Sequence, residues 1–216
     1  MHLRNVILAI LVVATVALAQ VTLDSPYQVR YATNFSQGQS AVNIIYGGAL
    51  GNVNQFGPGF GAQTNICVNI YVMDPAEEEV ACCACSLTPD QIQAVPLSDT
   101  ATANGLLHKL LTPGSPTSVV IKLIGSNQTK CDPTAVKTAN VTGGYVAFGT
   151  TMHLAGTGVY QLTETPFLPV TLSTADPGSE LTSLTTRCSG IVGNGSGYGT
   201  CPGCTVAGAL GAAKGK

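Results

Sequence analysis

ICVNIYVM at 66–73 and VACCACSL at 80–87 are the stretches whose reading decides the fold. Ile66, Val68, Ile70 and Val72 alternate with Cys67, Asn69, Tyr71 and Met73, the period of two of a half-buried strand. Asp74-Pro75 breaks the run, Glu77-Glu78-Glu79 forms a charged tip, and Val80 to Leu87 runs back as a second strand. Two such runs around a loop of about six residues make a hairpin. A register that sets Cys67 opposite Cys85 also sets Asn69 opposite Cys83 and Tyr71 opposite Ala81. All of these then lie on the face away from Ile66, Val68, Ile70 and Val72, so the register respects the pleat. A Cys67–Cys85 disulfide is therefore expected, with Cys83 as the substitute if the register slides by two. Otherwise Cys83 is left to join Cys131 or another cluster.

Working outward, Tyr27–Thr33 and Ala41–Tyr46 read as strands around a polar Asn34–Ser40 turn. Gly47 to Gly61 is a Gly-rich loop, with Phe56 and Phe60 as anchors that pack it down. Thr88-Pro89-Asp90-Gln91 has an N-cap Thr, Pro at the first helical position and Gln three residues after the cap. These predict a short helical turn ending by Pro96. Further strands are expected at Leu106–Leu111, Ser118–Ile124, Gly144–Leu154, Val159–Thr163 and Leu168–Leu172. The polar stretch 125–143, with Cys131 and Asp132-Pro133, is the one candidate internal boundary. Leu181, Leu184, Cys188 and Ile191, spaced three, four and three apart, share one face of a helix. Asp176-Pro177 or Ser179 would cap it, and the Gly-rich run 193–199 would stop it. The fold class that results is mainly β. A β-sandwich-like domain occupies 20–175. One C-terminal helix and a Gly-rich, cysteine-bearing tail follow over 176–216.

The N-terminus reads as a secretory signal peptide over 1–19. Arg4 gives a basic start, Val6 to Leu18 is apolar except for Thr15, and Ala17-Leu18-Ala19 supplies the small residues of a cleavage site before Gln20. The apolar run of about 13 residues is too short for a membrane span, which needs about 20. Cleavage leaves eight basic against eleven acidic residues, a formal charge of −3. Charged residues are only 9% of the chain, against about 25% in an ordinary soluble domain, and the basic ones are scattered. That excludes the phosphate-neutralising surface of a nucleic-acid binder. The expected location is secreted, periplasmic or at the cell surface, with no membrane span after cleavage.

Eight cysteines stand at Cys67, Cys82, Cys83, Cys85, Cys131, Cys188, Cys201 and Cys204. An even number in an exported chain reads first as disulfides. Two local clusters are visible: Cys67 with Cys82, Cys83 and Cys85, and Cys188 with Cys201 and Cys204. Cys131 must take a leftover from one of them. The Gly-rich run before the tail is costly to order, so a tie from the helix, Cys188 to Cys201 or Cys204, is expected. The rival is a Cys201–Cys204 bond with Cys188 free. Cys83, Cys85, Cys201 and Cys204 could instead form a four-thiolate metal site, but they lie far apart in sequence. Cys201-Pro-Gly-Cys204 has the form of a redox motif, yet it lacks the strand before and the helix after that activate one.

Asp74, Glu77, Glu78 and Glu79 gather four of the eleven acids at one hairpin tip. Calcium favours oxygen-rich loops, but this spacing matches no calcium loop. A cation site on these four acids is the alternative to a plain solvated tip. His153 falls in an apolar strand as a buried, hydrogen-bonded residue, and His108 on an exposed face. The sequence contains no G-x-S-x-G elbow, H-E-x-x-H helix or P-loop. It names no catalytic residue and no cofactor. Asn34, Asn127, Asn140 and Asn194 begin N-x-Ser/Thr triplets, which are glycosylation candidates in a eukaryotic secretory pathway and chance occurrences in a Thr-rich bacterial chain.

The run from Asn65 through Pro75 to Cys82-Cys83-Ala84-Cys85 and Pro89 resembles a group of uncharacterised exported cysteine-containing proteins of soil bacteria. The end of the chain, Asn194-Gly-Ser-Gly-Tyr-Gly-Thr-Cys201-Pro-Gly-Cys204, is similar to the C-terminus of the same group. The resemblance implies a bacterial exported protein and carries over no catalytic or binding residue. The expected function is a non-enzymatic binding, structural or self-assembling surface module, acting on an unknown ligand or on itself. The alternatives are a secreted hydrolase without a readable motif, or a thiol or metal protein using Cys82–Cys85 and Cys201/Cys204.

Overall fold

The computed structural model describes residues 25–35, 40–47, 65–97, 106–107, 116–175, 178–197 and 199–200. The expected signal peptide, the loop anchors Phe56 and Phe60, His108, Cys201 and Cys204 lie outside them. Among the described residues nine strands are formed: β1 (Tyr27–Thr33), β2 (Ala41–Tyr46), β3 (Ile66–Met73), β4 (Glu79–Leu87), β5 (Gln91–Pro96), β6 (Ser118–Ser126), β7 (Tyr145–Gly156), β8 (Val159–Pro166) and β9 (Leu168–Pro169). One helix, α1 (Glu180–Gly193), follows. The strands form two antiparallel sheets, ordered β4-β3-β6-β1-β9 and β5-β2-β7-β8.

Alternation along the strands builds the core between the sheets. Ile66, Val68, Ile70 and Val72 of β3 and Val119, Ile121 and Leu123 of β6 meet Val42, Ile44, Tyr46, Val95, Tyr145 and Ala147 of the other sheet. The chain changes sheet repeatedly between β1 and β9, so this core rests on non-local contacts. At one end Arg30 reaches from β1 across Gly149, donating hydrogen bonds to Thr151 Oγ1 and Thr165 Oγ1. A Cβ at Gly149 would stand 2.0 Å from the guanidinium carbon, so a side chain there would push Arg30 off these partners.

The outer face of the five-stranded sheet is also buried. Helix α1 lies over it, and Leu181, Leu184, Cys188 and Ile191 pack against Tyr27, Tyr71, Met73, Cys82 and Ile124. The helical periodicity read from the sequence thus identifies the buried stripe. Ser179 is the N-cap, its hydroxyl accepting from the Thr182 amide.

Four expectations are corrected. The first is the hairpin register. Met73 faces Glu79, as the turn dictates, but a bulge between Val72 and Met73 against Val80 adds one residue to β4. Beyond it Cys67 faces Ser86, Val68 faces Cys85 and Ile70 faces Cys83. One residue of slip moves a side chain to the other face of a sheet, so Cys83 and Cys85 turn into the core and Cys82 turns out under α1.

The second correction concerns the disulfides. Cys67 bonds to Cys131, with Cα atoms 5.4 Å apart, and Cys82 bonds to Cys188, at 5.8 Å. Neither Cys67–Cys85 nor a bond from Cys188 to the tail forms, and Cys83 does not take Cys131. Cys188 faces β4 because α1 docks on the outer face, where Cys82 waits. Third, Thr88–Gln91 is not helical. Gln91 Oε1 does accept from the Thr88 amide, as in a capping box, but Asp90 at φ 61° leaves the helical region and the chain departs as β5. Fourth, Leu106 and Leu107 form a buried turn bonded to Pro96 O and Leu97 O; the rest of the strand expected there lies outside the described residues.

Candidate functional site

Two features stand out against a chain so poor in charge. The first is a cleft of about 290 Å³ beneath the N-terminal half of α1. Met73, Val120 and Lys122 of the sheet form one wall, Asp74 and Glu77 of the β3–β4 loop another, and Glu180, Ser183, Leu184 and Arg187 of α1 the third. Several of the polar groups here are held by one another or by the loop backbone. Lys122 Nζ forms an ion pair with Glu180 Oε1, which also accepts from Tyr27 Oη at 3.0 Å. Arg187 Nη1 donates to Glu77 O at 2.7 Å. Asp74 Oδ1 accepts from the amides of Ala76 and Glu78 in its own loop. Burial pushes the Glu180 carboxyl up. The hydrogen bond and charge of Lys122, the Tyr27 hydroxyl and the charge of Arg187 outweigh it, and the carboxyl is held below its usual range.

Glu79, next in the same acidic run, is 7% exposed, and both its carboxylate oxygens lack a hydrogen-bond partner. Burial pushes its pKa up to about 8 against the pull of Arg187 and Lys122, with Glu180 adding to the rise. Its carboxylate lies with Cys82 Sγ and Cys188 Sγ inside a 4.8 Å group. Those sulfurs are bonded to each other, so the oxidised protein offers no thiolate there for a metal. Among the described residues this is the one acid and cysteine group of its kind, and Asp74, Glu77 and Glu78 do not converge with Glu79 into another.

The second feature is the outer face of the four-stranded sheet. Val42, Ile44, Tyr46, Val95, Tyr145 and Ala147 point into the core, so their neighbours along each strand point out. Cross-strand pairing arranges those neighbours in rows. Ile92, Ile45 and Val146 form the first, and Ala94, Asn43, Phe148 and Pro166 the second. Pro96, Ala41, Thr150 and Glu164 form the third. Met152 with Leu162 and Leu154 with Tyr160 complete the face along the β7–β8 hairpin. Ile92 is 65% exposed, Leu162 66%, Leu154 52% and Tyr160 47%. The polar members hold one another: Asn43 Nδ2 donates to Thr150 Oγ1 at 2.8 Å and to Glu164 Oε1 at 3.0 Å. The Thr150 hydroxyl also donates to Glu164 Oε1. These rows contain no Lys, Arg or His.

The hairpin beyond the core inverts the usual pattern. Its other face carries Thr151, His153, Gln161, Thr163 and Thr165, two of which take the hydrogen bonds of Arg30. His153 is therefore half-buried on a polar face, not enclosed in an apolar one. Exposed apolar side chains scattered singly carry no message, whereas a contiguous apolar face marks an interaction surface. Sequence reading located β2, β7 and β8 but not β5, and it missed the face. An alternating strand does not reveal which of its two faces lies inside, and on β7 and β8 both faces carry apolar residues. Comparison with protein-family models, with curated proteins and with solved structures finds no match to this chain.

Proposed function

We propose that this is an exported, disulfide-stabilised β-sandwich of a bacterium that works by association, as a non-enzymatic binding or self-assembling surface module. The single observation that carries the reading is the largely apolar outer face of the four-stranded sheet. The chain spends a helix and a disulfide on covering the corresponding face of the other sheet, and no described element covers this one. The cleft under α1 supports catalysis less well, because Lys122 and Glu180 are paired with each other and Arg187 and Asp74 are held by backbone groups of the β3–β4 loop. All six described cysteines are in disulfides, which favours an oxidising compartment and leaves no thiolate among them for metal or redox chemistry. The test is binding of an apolar fluorescent dye to the oxidised protein, alongside the double variant Ile92→Lys/Leu162→Lys. The face should bind dye in the wild type and lose it in the variant at unchanged melting temperature. A wild type as dark as the variant would count against an accessible apolar face and so against this function.

A further inference from the structure

We infer that Glu79, Cys82 and Cys188 form a zinc site that the Cys82–Cys188 disulfide closes, so that the reduced chain binds the ion and the oxidised chain does not. Glu79 and Cys82 are three residues apart, a spacing that puts side chains on opposite faces of a regular strand. The bulge at Val80 cancels that alternation. Glu79 pairs with Met73 and Cys82 with Tyr71, and Met73 and Tyr71 share the face under α1. Cys188 reaches the same place from the helix. One ligand atom from each of the three residues lies within 4.8 Å of the other two. All three residues are buried, at 7%, 1% and 0% exposure.

Glu79 is the unsatisfied member of the group. Neither of its carboxylate oxygens has a hydrogen-bond partner, and burying such a group is costly unless a donor or a cation meets it. Arg187 and Lys122 act on it through their charge, but their own bonds go to Glu77 O and Glu180. Two thiolates and one carboxylate suit zinc, with water in the fourth position. Zn–S bonds of about 2.3 Å set two sulfurs on one tetrahedral ion about 3.8 Å apart, inside the 4.8 Å compass of the group. A dithiol reductant supplies the two electrons that break the Sγ–Sγ bond and is itself oxidised to a disulfide, its two protons passing to Cys82 and Cys188. Zinc then displaces those protons to solvent, with that of Glu79 where the carboxyl carries one. Three anionic ligands on a doubly charged ion leave a net negative site, which the charges of Arg187 and Lys122 favour. The cleft beneath α1 is lined by Met73 and Leu184, which pack in the same cluster as Cys82 and Cys188, and it gives reductant and ion an approach. Thiols stay reduced until the chain meets an oxidising compartment, so a chain that folds before then has this site open.

The test is a titration with Co²⁺, a spectroscopic substitute for Zn²⁺, of the purified protein reduced with a dithiol and freed of it by gel filtration without oxygen. Cobalt held by thiolates shows a charge-transfer band and, in a tetrahedral site, visible d–d bands; Zn²⁺ should displace it. The wild type should bind one equivalent more than Cys82→Ala/Cys188→Ala, which keeps the other six cysteines and so subtracts whatever they bind. Glu79→Gln should weaken that equivalent by roughly 10- to 100-fold while keeping its charge-transfer band. The oxidised protein should show no such band. Zn²⁺ should raise the melting temperature of the reduced wild type and leave that of the oxidised protein unchanged. Equal stoichiometry in the wild type and the cysteine double variant would overturn the site, and so would an affinity that Glu79→Gln leaves unchanged. A reduced wild type that Zn²⁺ neither binds nor stabilises would overturn it as well, and a band in the oxidised protein would overturn its closure by the disulfide.

Discussion

Glu79 shows how much a single residue's placement matters in a chain with so few charges. Its neighbours Glu77 and Glu78 are exposed, and in sequence the three are indistinguishable. The turn pairs Glu79 with Met73 on the face that α1 covers, so a residue read as part of a charged tip is buried. An isolated buried carboxylate is costly, and such a group keeps its proton instead. With a folded pKa of about 8 against an ordinary 4.5, the unfolded chain ionises first as pH rises. The stability tied to the protonated group is therefore fully present below about 4.5. It is lost progressively up to about 8. Replacing Glu79 by Gln removes this dependence. The variant should gain on the wild type across that window, by several kcal/mol at pH 8, since each unit between the two pKa values is worth about 1.4 kcal/mol. Thermal unfolding of both proteins at a series of pH values measures it. Curves that stay parallel from pH 4 to 9 would mean that Glu79 is ionised in the fold.

At the scale of elements, local signals were sufficient where the element is decided by its own residues. The spacing of Leu181, Leu184, Cys188 and Ile191 identifies the face that α1 buries, and the Ser179 cap stands where the sequence offers it. Removing that hydroxyl leaves the Thr182 amide without its acceptor in the first turn, where helix amides have no partner within the helix. Ser179→Ala should lower stability by about 1 kcal/mol, seen as a lower denaturant midpoint with an unchanged slope. A change confined to the slope would point to an altered denatured state instead. The turn at 88–91 shows the limit of such signals. The Thr88 amide donates to Gln91 Oε1, one half of a capping box. The Gln91 amide donates to the Thr88 carbonyl and not to its hydroxyl, and the left-handed Asp90 redirects the chain. Pairing of β5 with β2 then supplies the hydrogen bonds a helix would have supplied.

Across the whole molecule, disulfides tie the covering elements to the five-stranded sheet. Cys67–Cys131 fastens the segment after β6 to β3, and Cys82–Cys188 fastens α1 to β4. Each closes a long loop, which in the chain-entropy account restricts the unfolded state by several kcal/mol, about 4 for loops of this size. Cys83 and Cys85 are disulfide-bonded as well, and the sequence holds just two further cysteines, Cys201 and Cys204. Residues 199–200 run alongside β4: the Cys82 amide donates to Gly199 O at 2.7 Å, and Thr200 pairs with Cys82 in parallel. Peptide mapping without reduction should therefore recover Cys67 with Cys131, Cys82 with Cys188, and the Cys83–Cys85 segment joined twice to the C-terminal peptide. A C-terminal peptide released with its own Cys201–Cys204 bond would contradict this.

The sequence by itself determined most of the strands and where the helix lies, because periods of two and of 3.6 are properties of a segment and its own residues. It missed β5, which pairing with β2 decides. Its even cysteine count also anticipated their oxidation, which the described residues bear out. Only the tertiary structure decided which faces meet. A bulge at Val80 exchanged the faces of Cys82, Cys83 and Cys85, and docking of α1 gave Cys188 its partner. The same docking buried Glu79 and covered one sheet's outer face. It left Ile92, Leu154, Tyr160 and Leu162 of the other sheet exposed. These are contacts between elements distant along the chain, and alternation within a strand carries no information about what lies across from either of its faces.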